Sequence, residues 1–206
     1  MPQGMFLNIM YTYRKMCEPQ KKDVIAYRKL QKLPLHSPPH FEEGIKTYLI
    51  TAAIYEHRMI MYDEKRRIEL QEYLIDKISQ IDNSMIFAWT VLPNHYHILL
   101  KIDLSLLRKT LSRIHNGFST RWNREDNYAG RKVWHRFSDR HIRNDDHYWA
   151  SVNYIHKNPV KYGYVSDLSE WPSGSFNIFQ ENIGKDKMSF ILQNYPVDDM
   201  GAGWDD

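Results

Sequence analysis

Two apolar runs separated by a Pro-Asn pair constrain the fold of this chain more than any other stretch. The runs are residues 85–92 and 95–100, and the break between them is Pro93-Asn94. Both runs have the length and the β-branched and aromatic content of strands, and proline excludes one continuous central strand. The sequence therefore predicts two consecutive strands, with a break at the Pro-Asn pair.

Two histidines occupy alternate positions of the second run. Because side chains alternate along a strand, His95 and His97 are predicted to share one face. Tyr96, Ile98 and Leu100 are then predicted to lie on the opposite, buried face. Two imidazoles on one face of a rigid strand can bind one metal ion, and the alternative, that both histidines are structural, stays open at this point.

The other periodic segments predict a mixed α/β protein. A first core strand is expected at residues 47–55, a helix between Asp63 and about Gln80, a helix from Asp103 or Ser105 to about Asn123, a basic strand at residues 131–143, and a helix at residues 146–158. Each helix has an Asn, Asp or Ser at its N-cap and apolar residues at helical spacing. Pro159 is predicted to help end the last helix.

Composition suggests one core domain with extensions at both ends. Residues 1–40 are predicted to form a basic, proline-rich arm, residues 41–165 the core, and residues 166–206 a C-terminal extension with an acidic, mobile end. The single cysteine, Cys17, excludes an intramolecular disulfide and fits a reducing compartment. No run approaches the ~20 apolar residues of a membrane span, and the N-terminus lacks a signal peptide. We therefore expect a cytoplasmic protein with no membrane partner.

Positive charge is concentrated in one part of the chain. The net charge of +3 predicts no partner by itself, but residues 108–143 contain ten basic residues against Glu125, Asp126 and Asp139. The ten candidates for contact with DNA phosphates are Arg108, Lys109, Arg113, Arg121, Arg124, Arg131, Lys132, Arg136, Arg140 and Arg143. Such an excess favours a phosphate-backbone partner, with a solvated charged face as the alternative.

A tyrosine and an asparagine in the last helix have the spacing of a catalytic pair. Tyr154 and Asn158 are four residues apart, so both lie on one helix face. A tyrosine hydroxyl attacks phosphorus well only when the phosphate is held and its charge is offset, which a metal ion achieves. The Asn158 amide oxygen could add a third ligand to His95 and His97. A packed aromatic and a helix C-cap are the alternative interpretations of Tyr154 and Asn158.

These stretches resemble two motifs of one enzyme superfamily. Leu92-Pro93-Asn94-His95-Tyr96-His97 is similar to the Pro-Asn-His-hydrophobic-His motif of single-tyrosine HUH transposases. Residues 154–163, Tyr-Ile-His-Lys-Asn-Pro-Val-Lys-Tyr-Gly, resemble the Tyr-Ile-x-x-Asn-Pro-Val-x-x-Gly segment of the REP-associated tyrosine transposases. Trp171-Pro172-Ser173-Gly174-Ser175-Phe176 resembles the Trp-Pro-x-Ser-Ser-Tyr ending of that branch. The resemblance covers residues 45 to about 178.

The resemblance implies a fold and a chemistry. The fold would be α/β (α+β), with a ferredoxin-like core whose central antiparallel sheet is flanked by helices. His95, His97 and Asn158 would bind a divalent metal ion, Mg²⁺ or Mn²⁺, and Tyr154 would be the nucleophile. The substrate would be single-stranded DNA beside a hairpin, cleaved and rejoined through a covalent 5′-phosphotyrosine. It implies association with the nucleoid and no small-molecule cofactor, and it leaves monomer and homodimer open.

Two departures from the family pattern bear on DNA recognition more than on catalysis. His135 stands where Gln is common after the tryptophan, and Gly174 replaces a Ser. No general base is assigned, because His156 lies two residues from Tyr154 and so points elsewhere on a helix. Two other functions remain open: a domesticated, non-catalytic protein that binds repeat hairpins, and a metal-dependent hydrolase in which water attacks.

Overall fold

The computed structural model describes residues 44–197, together with residues 17, 19, 22, 23 and 26. The chain divides into two units, Met1–Glu43 and Gly44–Asp206, and every element below belongs to the second. The predicted acidic end at residues 198–206, and all but five positions of the predicted arm, lie outside the described residues. In the part that is described, no helix is both long and apolar enough to cross a membrane.

The second unit contains one antiparallel sheet and five helices among its described residues. In chain order these are β1 (Ile45–Ala53), α1 (Glu64–Ser79), β2 (Met85–Val91), β3 (His95–Asp103), α2 (Leu104–Glu125), β4 (Ser138–His141), α3 (Asp145–Lys161), α4 (Phe176–Ile183) and α5 (Lys185–Asn194). The strand order is β2-β3-β1-β4, with every neighbouring pair antiparallel. This β-α-β-β-α-β order is that of a ferredoxin-like core, so the predicted fold is confirmed.

The first two helices begin where the sequence places their caps. The Asp63 carboxylate accepts a hydrogen bond from the Lys65 backbone N–H at 2.9 Å, and Asp103 accepts one from Ser105 at 2.8 Å. Both helices pack their apolar stripes on the same face of the sheet. The buried residues of the stripes are Leu70, Leu74 and Ile78 in α1, and Leu104, Leu107, Leu111, Ile114, Phe118 and Trp122 in α2. These interior positions confirm the predicted helical periodicity.

Strand β3 contributes side chains to both faces of the sheet. Tyr96, Ile98 and Leu100 pack with α1 and α2 in the larger core. Leu99 packs on the other face, in a smaller cluster that includes Val152 of α3. The predicted alternation of side chains along β3 is therefore confirmed, and it assigns the two histidines to the side of the sheet that α3 covers.

The predicted strand at residues 131–143 is wrong over its first half. Only β4 is a strand, while the Val133 carbonyl accepts a hydrogen bond from the Tyr55 N–H at 2.7 Å and the His135 N–H donates to the Ala53 carbonyl at 2.9 Å. Val133 and Trp134 are adjacent in sequence, yet both are buried in the same core. Two neighbours facing one core are incompatible with strand alternation, which explains the irregular backbone.

The prediction that Pro159 helps to end the helix expected at residues 146–158 is also wrong. Helix α3 continues through this proline to Lys161. The end is set by Gly163, whose φ is +70°. The Tyr164 N–H donates to the Pro159 carbonyl at 2.9 Å and the Gly163 N–H donates to the Val160 carbonyl at 2.9 Å. This pair of hydrogen bonds is a Schellman motif, which needs the left-handed conformation that glycine adopts without strain.

A short segment after α3 lies along the outer edge of β2. The Val91 N–H donates to the Ser173 carbonyl at 2.8 Å and the Ser175 N–H donates to the Trp89 carbonyl at 2.9 Å. A Cβ atom at Gly174 would come within 3.3 Å of the Trp171 ring and 3.4 Å of the Trp89 carbonyl. Glycine at this position therefore allows the segment to approach the strand closely.

Candidate metal and nucleophile site

The two histidines of β3 lie on the side of the sheet that α3 covers. His95 is 2% exposed and His97 is fully buried. Their ring centroids are 4.9 Å apart, with the ring planes at 78° to each other. The strand thus brings the two imidazoles side by side, as the sequence predicts.

Each histidine ring is oriented by a neighbour through its Nδ1 atom. Nδ1 of His97 is 2.7 Å from the Thr51 hydroxyl, and Nδ1 of His95 is 2.7 Å from Oδ1 of Asn94. When Nδ1–H is the donor in these contacts, the lone pair is on Nε2, which is the form that binds a metal. Thr51 is the residue paired with His97 across β1 and β3. Sequence reasoning missed its role, because only the register of the two strands reveals it.

Burial keeps the imidazole of His97 neutral. Loss of solvent lowers the pKa of His97 well below its ordinary value, and the nearby charges of His95 and Lys161 lower it further. A neutral imidazole retains the lone pair that coordination requires. At neutral pH this ring is therefore ready to act as a ligand, without first losing a proton.

Helix α3 and its C-cap residue, Tyr162, place three side chains on the α3 side of the sheet at four-residue intervals. The ring centroids of Tyr154 and His97 are 4.9 Å apart, and those of Tyr162 and His95 are 5.5 Å apart. Asn158 lies between the two tyrosines on this helix face, because residues four apart are stacked along a helix. The structure therefore brings all four predicted site residues, His95, His97, Tyr154 and Asn158, to one side of the sheet.

The donor atoms at this site fit a divalent metal ion. Nε2 of His97 and Oδ1 of Asn158 are buried and have no hydrogen-bond partner among the described residues. The Asn158 amide nitrogen instead donates to the Tyr154 carbonyl at 2.9 Å, so Oδ1 is the amide atom that could coordinate a metal ion. Buried polar atoms are normally paired, so such orphans indicate a missing partner. A set of two imidazoles and one amide oxygen suits Mn²⁺ and, less strongly, Mg²⁺.

The three predicted ligands include no acidic side chain. Across residues 44–197, no cluster of three or more His, Cys, Asp and Glu side chains that could hold a metal ion occurs. The set formed by His95, His97 and Asn158 therefore carries no formal negative charge. A phosphate oxygen from a substrate would add the anionic ligand that the protein does not supply.

Tyr154 borders a cleft that two lysines also line. The cleft has a volume of about 530 Å³ and includes Lys157 and Lys161 in its wall. Nζ of Lys161 is 5.6 Å from the centroid of the Tyr154 ring. The sequence analysis did not include these lysines among the candidates. Their positions three and seven residues after Tyr154 on one helix face are the signal that could have identified them.

His156 faces away from the site. Its Nε2 atom is 3.0 Å from the Ser175 hydroxyl, and its ring packs on Phe176 and Phe179. Burial lowers the pKa of His156 to about 3. This placement agrees with the helical geometry that argued against His156 as a base for Tyr154.

The ten basic candidates differ in exposure and in pairing. Arg108, Arg121 and Arg131 are paired with acids: Arg131 is 2.7 Å from Asp126 and Arg121 is 2.6 Å from Glu69. The exposed members are Lys109, Arg113, Arg124, Lys132, Arg136, Arg140 and Arg143. Lys132 and Arg136 line a groove of about 440 Å³ with Ser112 and Asn116 of α2. Arg140 and Arg143 lie near His147 at the start of α3, where their charges help to lower its pKa after burial, the larger cause.

Comparison with known proteins identifies sequences that this chain resembles. No family model matches the chain. A REP-associated tyrosine transposase of Escherichia coli is 32% identical over 115 residues, which cover 53% of this chain and 64% of that protein. Over this stretch the chain is similar to a REP-associated tyrosine transposase. A Haemophilus influenzae protein named for the same group is 30% identical over 101 residues, which cover 44% of this chain and 57% of that protein.

The fold agrees with a solved member of this group. A REP-associated tyrosine transposase bound to a REP hairpin superposes with a TM-score of 0.60 and 23% identity, over 81% of this chain and 95% of that one. The chain spans less than two thirds of the length of either curated relative. The relationship thus rests on the two curated sequences, and the structural match adds the shared fold.

Proposed function

We propose that the chain is a metal-dependent enzyme that cleaves and rejoins single-stranded DNA beside a hairpin-forming repeat, through a covalent bond to Tyr154. The observation that carries the proposal is the convergence of Tyr154 and Asn158 with His95 and His97 on one face of the sheet. The names of the two curated relatives support a transposase-like activity.

The metal-binding residues in this proposal are His95, His97 and Asn158. A divalent ion bound there would polarise a non-bridging phosphate oxygen and offset its charge. Thr51 and Asn94 would keep the two imidazole rings oriented, as neighbours of metal ligands commonly do. The buried, neutral state of His97 favours coordination over protonation.

Tyr154 is the proposed nucleophile. Its phenolic oxygen forms a bond to phosphorus, and the bond from phosphorus to the 3′ oxygen of the preceding nucleotide breaks. The phenol loses a proton and the leaving 3′ oxygen gains one, so no net proton is consumed. The 5′ end stays on Tyr154, and a 3′-hydroxyl can reverse the step, which joins strands without ATP.

Binding of the hairpin would use surfaces away from the metal site. Lys132 and Arg136 are exposed and pair with no acid among residues 44–197, so both are available for DNA phosphates. The solved neighbour named as bound to a REP hairpin supports this kind of partner. Because phosphate contacts release counterions, we expect the affinity for the hairpin to fall steeply with salt.

The test is the capture of a protein–DNA adduct. A labelled single-stranded hairpin is incubated with Mg²⁺ or Mn²⁺, and a denaturing gel shows cleavage and adduct together. We expect both from the wild type and neither from Tyr154→Phe, which removes only the hydroxyl. Tyr148→Phe is the matched control, because it makes the same change on α3 at a half-buried ring that packs on Phe87.

The other two functions are separate outcomes of the same gel. Hairpin binding without cleavage would leave a non-catalytic binding protein. Cleavage without an adduct, unchanged in Tyr154→Phe, would indicate that water attacks. Either result would overturn the covalent mechanism.

A further inference from the structure

A row of aromatic rings starts at His95 and leads away from the metal site. The ring centroid of Tyr162 is 5.5 Å from that of His95, and the Tyr164 ring follows at 6.3 Å. Trp171 then stacks on Tyr164 at 5.6 Å, with the planes only 29° apart. We call Tyr162, Tyr164 and Trp171 the ring row. None of the three belongs to the site residues named from the sequence.

The two ends of the ring row, Tyr162 and Trp171, differ in exposure. Trp171 is 7% exposed and packs against the Arg67 guanidinium, whose carbon is 4.8 Å from the ring centroid. Tyr162 is 41% exposed, whereas Tyr154, two turns earlier on the same helix face, is 2% exposed. Tyr162 therefore presents an accessible aromatic surface beside the metal site, while the far end of the row is anchored in the protein.

The backbone that carries this accessible ring is ordered by hydrogen bonds. The Tyr162 N–H donates to the Asn158 carbonyl at 3.0 Å, and the Schellman motif closes directly after it. An aromatic side chain on an ordered backbone loses little conformational entropy when a flat partner stacks on it. Such a ring is suited to receive a base.

A cation lies between the ring and the nucleophile. Nζ of Lys161 is 5.6 Å from the centroid of Tyr162 and 5.6 Å from that of Tyr154. No ion pair to Lys161 is formed by the residues that the structure describes. A phosphate beside this ammonium group would lie between the scissile position at Tyr154 and a base on Tyr162.

We propose that Tyr162 stacks an unpaired base of the DNA strand next to the scissile phosphate, while Lys161 holds the phosphate that connects them. Stacking on aromatic rings is how proteins hold single strands with little sequence preference. The inference rests on the proposed function, because it traces the path of the cleaved strand through the same site. The ring row is then the surface that selects a single strand over a duplex at this point.

The experiment measures binding and needs no cleavage. Fluorescence anisotropy in the presence of chelator compares a hairpin carrying a short single-stranded tail with the same hairpin whose tail nucleotides are abasic. The abasic tail keeps every phosphate and removes only the bases, and tails on the 5′ and the 3′ side are tested separately. The variants are Tyr162→Leu, Tyr162→Phe and Lys161→Met. The control is Tyr73→Leu, at a tyrosine of α1 that is 46% exposed.

We expect the wild type and Tyr73→Leu to bind the intact tail about tenfold more tightly than the abasic tail. Tyr162→Leu should lose this preference, and Tyr162→Phe, which restores the ring, should recover it. Lys161→Met should weaken both tails alike, since the phosphates are the same. Thermal unfolding of each variant checks that the fold is intact.

Two results would overturn the proposal: a wild type with no preference for the intact tail on either side, or a Tyr162→Leu variant that keeps it. Both are independent of the adduct gel. A protein that forms the adduct but shows no preference contradicts the ring row alone. A protein that prefers the tail but forms no adduct contradicts the covalent mechanism alone.

Discussion

Strand β3 contributes apolar residues to one face of the sheet and two histidines to the other. On the side of α1 and α2, β3 contributes Tyr96, Ile98 and Leu100 to a large apolar core. On the side of α3 it contributes His95 and His97, which are as deeply buried as the core residues. Side-chain alternation means that neighbouring residues belong to different environments. Residues of the apolar core and residues of the proposed metal site are thus adjacent along the chain.

The two faces of the sheet bury different kinds of polar group. In the large core, Nε2 of His115 is 2.8 Å from the Tyr96 hydroxyl, and its ring stacks on Trp134 at 4.2 Å. On the α3 side, Nε2 of His97 and Oδ1 of Asn158 have no hydrogen-bond partner within the described chain. A paired buried group adds to stability, and an unpaired one costs free energy unless a ligand completes it. Nε1 of Trp122 and of Trp134 in the large core also lack a partner, so the distinction lies in the donor chemistry: an imidazole nitrogen and an amide oxygen suit a metal ion, whereas an indole N–H does not.

His97→Ala is expected to have the largest effect on the α3 side of the sheet. It removes a proposed metal ligand, so we expect cleavage of a labelled hairpin to disappear at every Mn²⁺ concentration while hairpin binding persists. The loss of unfolding free energy should be smaller than for a neighbouring core residue. Cleavage with an unchanged Mn²⁺ dependence would mean that His97 is structural.

Ile98→Ala tests the next residue of the strand on the opposite face. Ile98 is 2% exposed, and truncation of such a side chain costs about 2–5 kcal/mol of unfolding free energy. Urea denaturation measures the loss. The Mn²⁺ concentration for half-maximal cleavage should match that of the wild type at a temperature where the variant is folded. A shift of that midpoint would show that the two faces are coupled.

Thr51→Val tests whether the orientation of His97 on the α3 side of the sheet matters for metal binding. The change keeps the shape of the side chain and removes the hydroxyl that is 2.7 Å from Nδ1 of His97. Loss of such an orienting partner typically weakens metal binding about 10- to 100-fold. The measurement is the Mn²⁺ midpoint for cleavage. Thr47→Val makes the same change at another inward-facing position of β1 and should leave the midpoint unaltered.

His115→Gln tests the paired polar group of the large core through pH. Burial lowers the pKa of His115 from 6.5 to about 4, so between these values the unfolded state binds a proton that the folded state does not. Stability is therefore lost as the pH falls below about 6.5. At pH 5 the loss of unfolding free energy through His115 is about 2 kcal/mol, from 1.36 kcal/mol per pKa unit.

Urea denaturation at pH 7 and pH 5 gives the measurement for this variant. We expect the loss of stability between the two values to shrink by about 2 kcal/mol in His115→Gln, because glutamine does not titrate. An equal loss in the two proteins would assign the acid sensitivity to other groups.

The elements that the sequence predicts well depend on nearby residues. The caps Asp63 and Asp103 and the apolar stripes that follow them are local signals, and both helices begin where the signals place them. The faces of Tyr96 and His97 follow from strand alternation alone. The family motifs were enough to name His95, His97, Tyr154 and Asn158 as one set, and their proposed roles await the experiments above.

The features that the sequence does not reveal depend on distant contacts. Thr51 meets His97 only through a register that joins residues 46 positions apart. Arg67 is buried in an otherwise apolar stripe because its guanidinium donates to the Met61 carbonyl at 3.0 Å and lies over Trp171. The irregular course of residues 131–137 arises because Trp134 packs into the core formed by earlier elements. No local pattern specifies any of these contacts.

The short segment beside β2 also determines how the sheet ends. An uncovered edge strand offers unpaired backbone groups to a strand of another molecule. Residues 173–175 cover part of the β2 edge, and the opposite edge strand, β4, is only four residues long and carries Asp139 and Arg140. Both margins therefore discourage the addition of a further strand. The glycine at 174, where a side chain would be crowded, thus contributes to protection of the protein against self-association through its sheet.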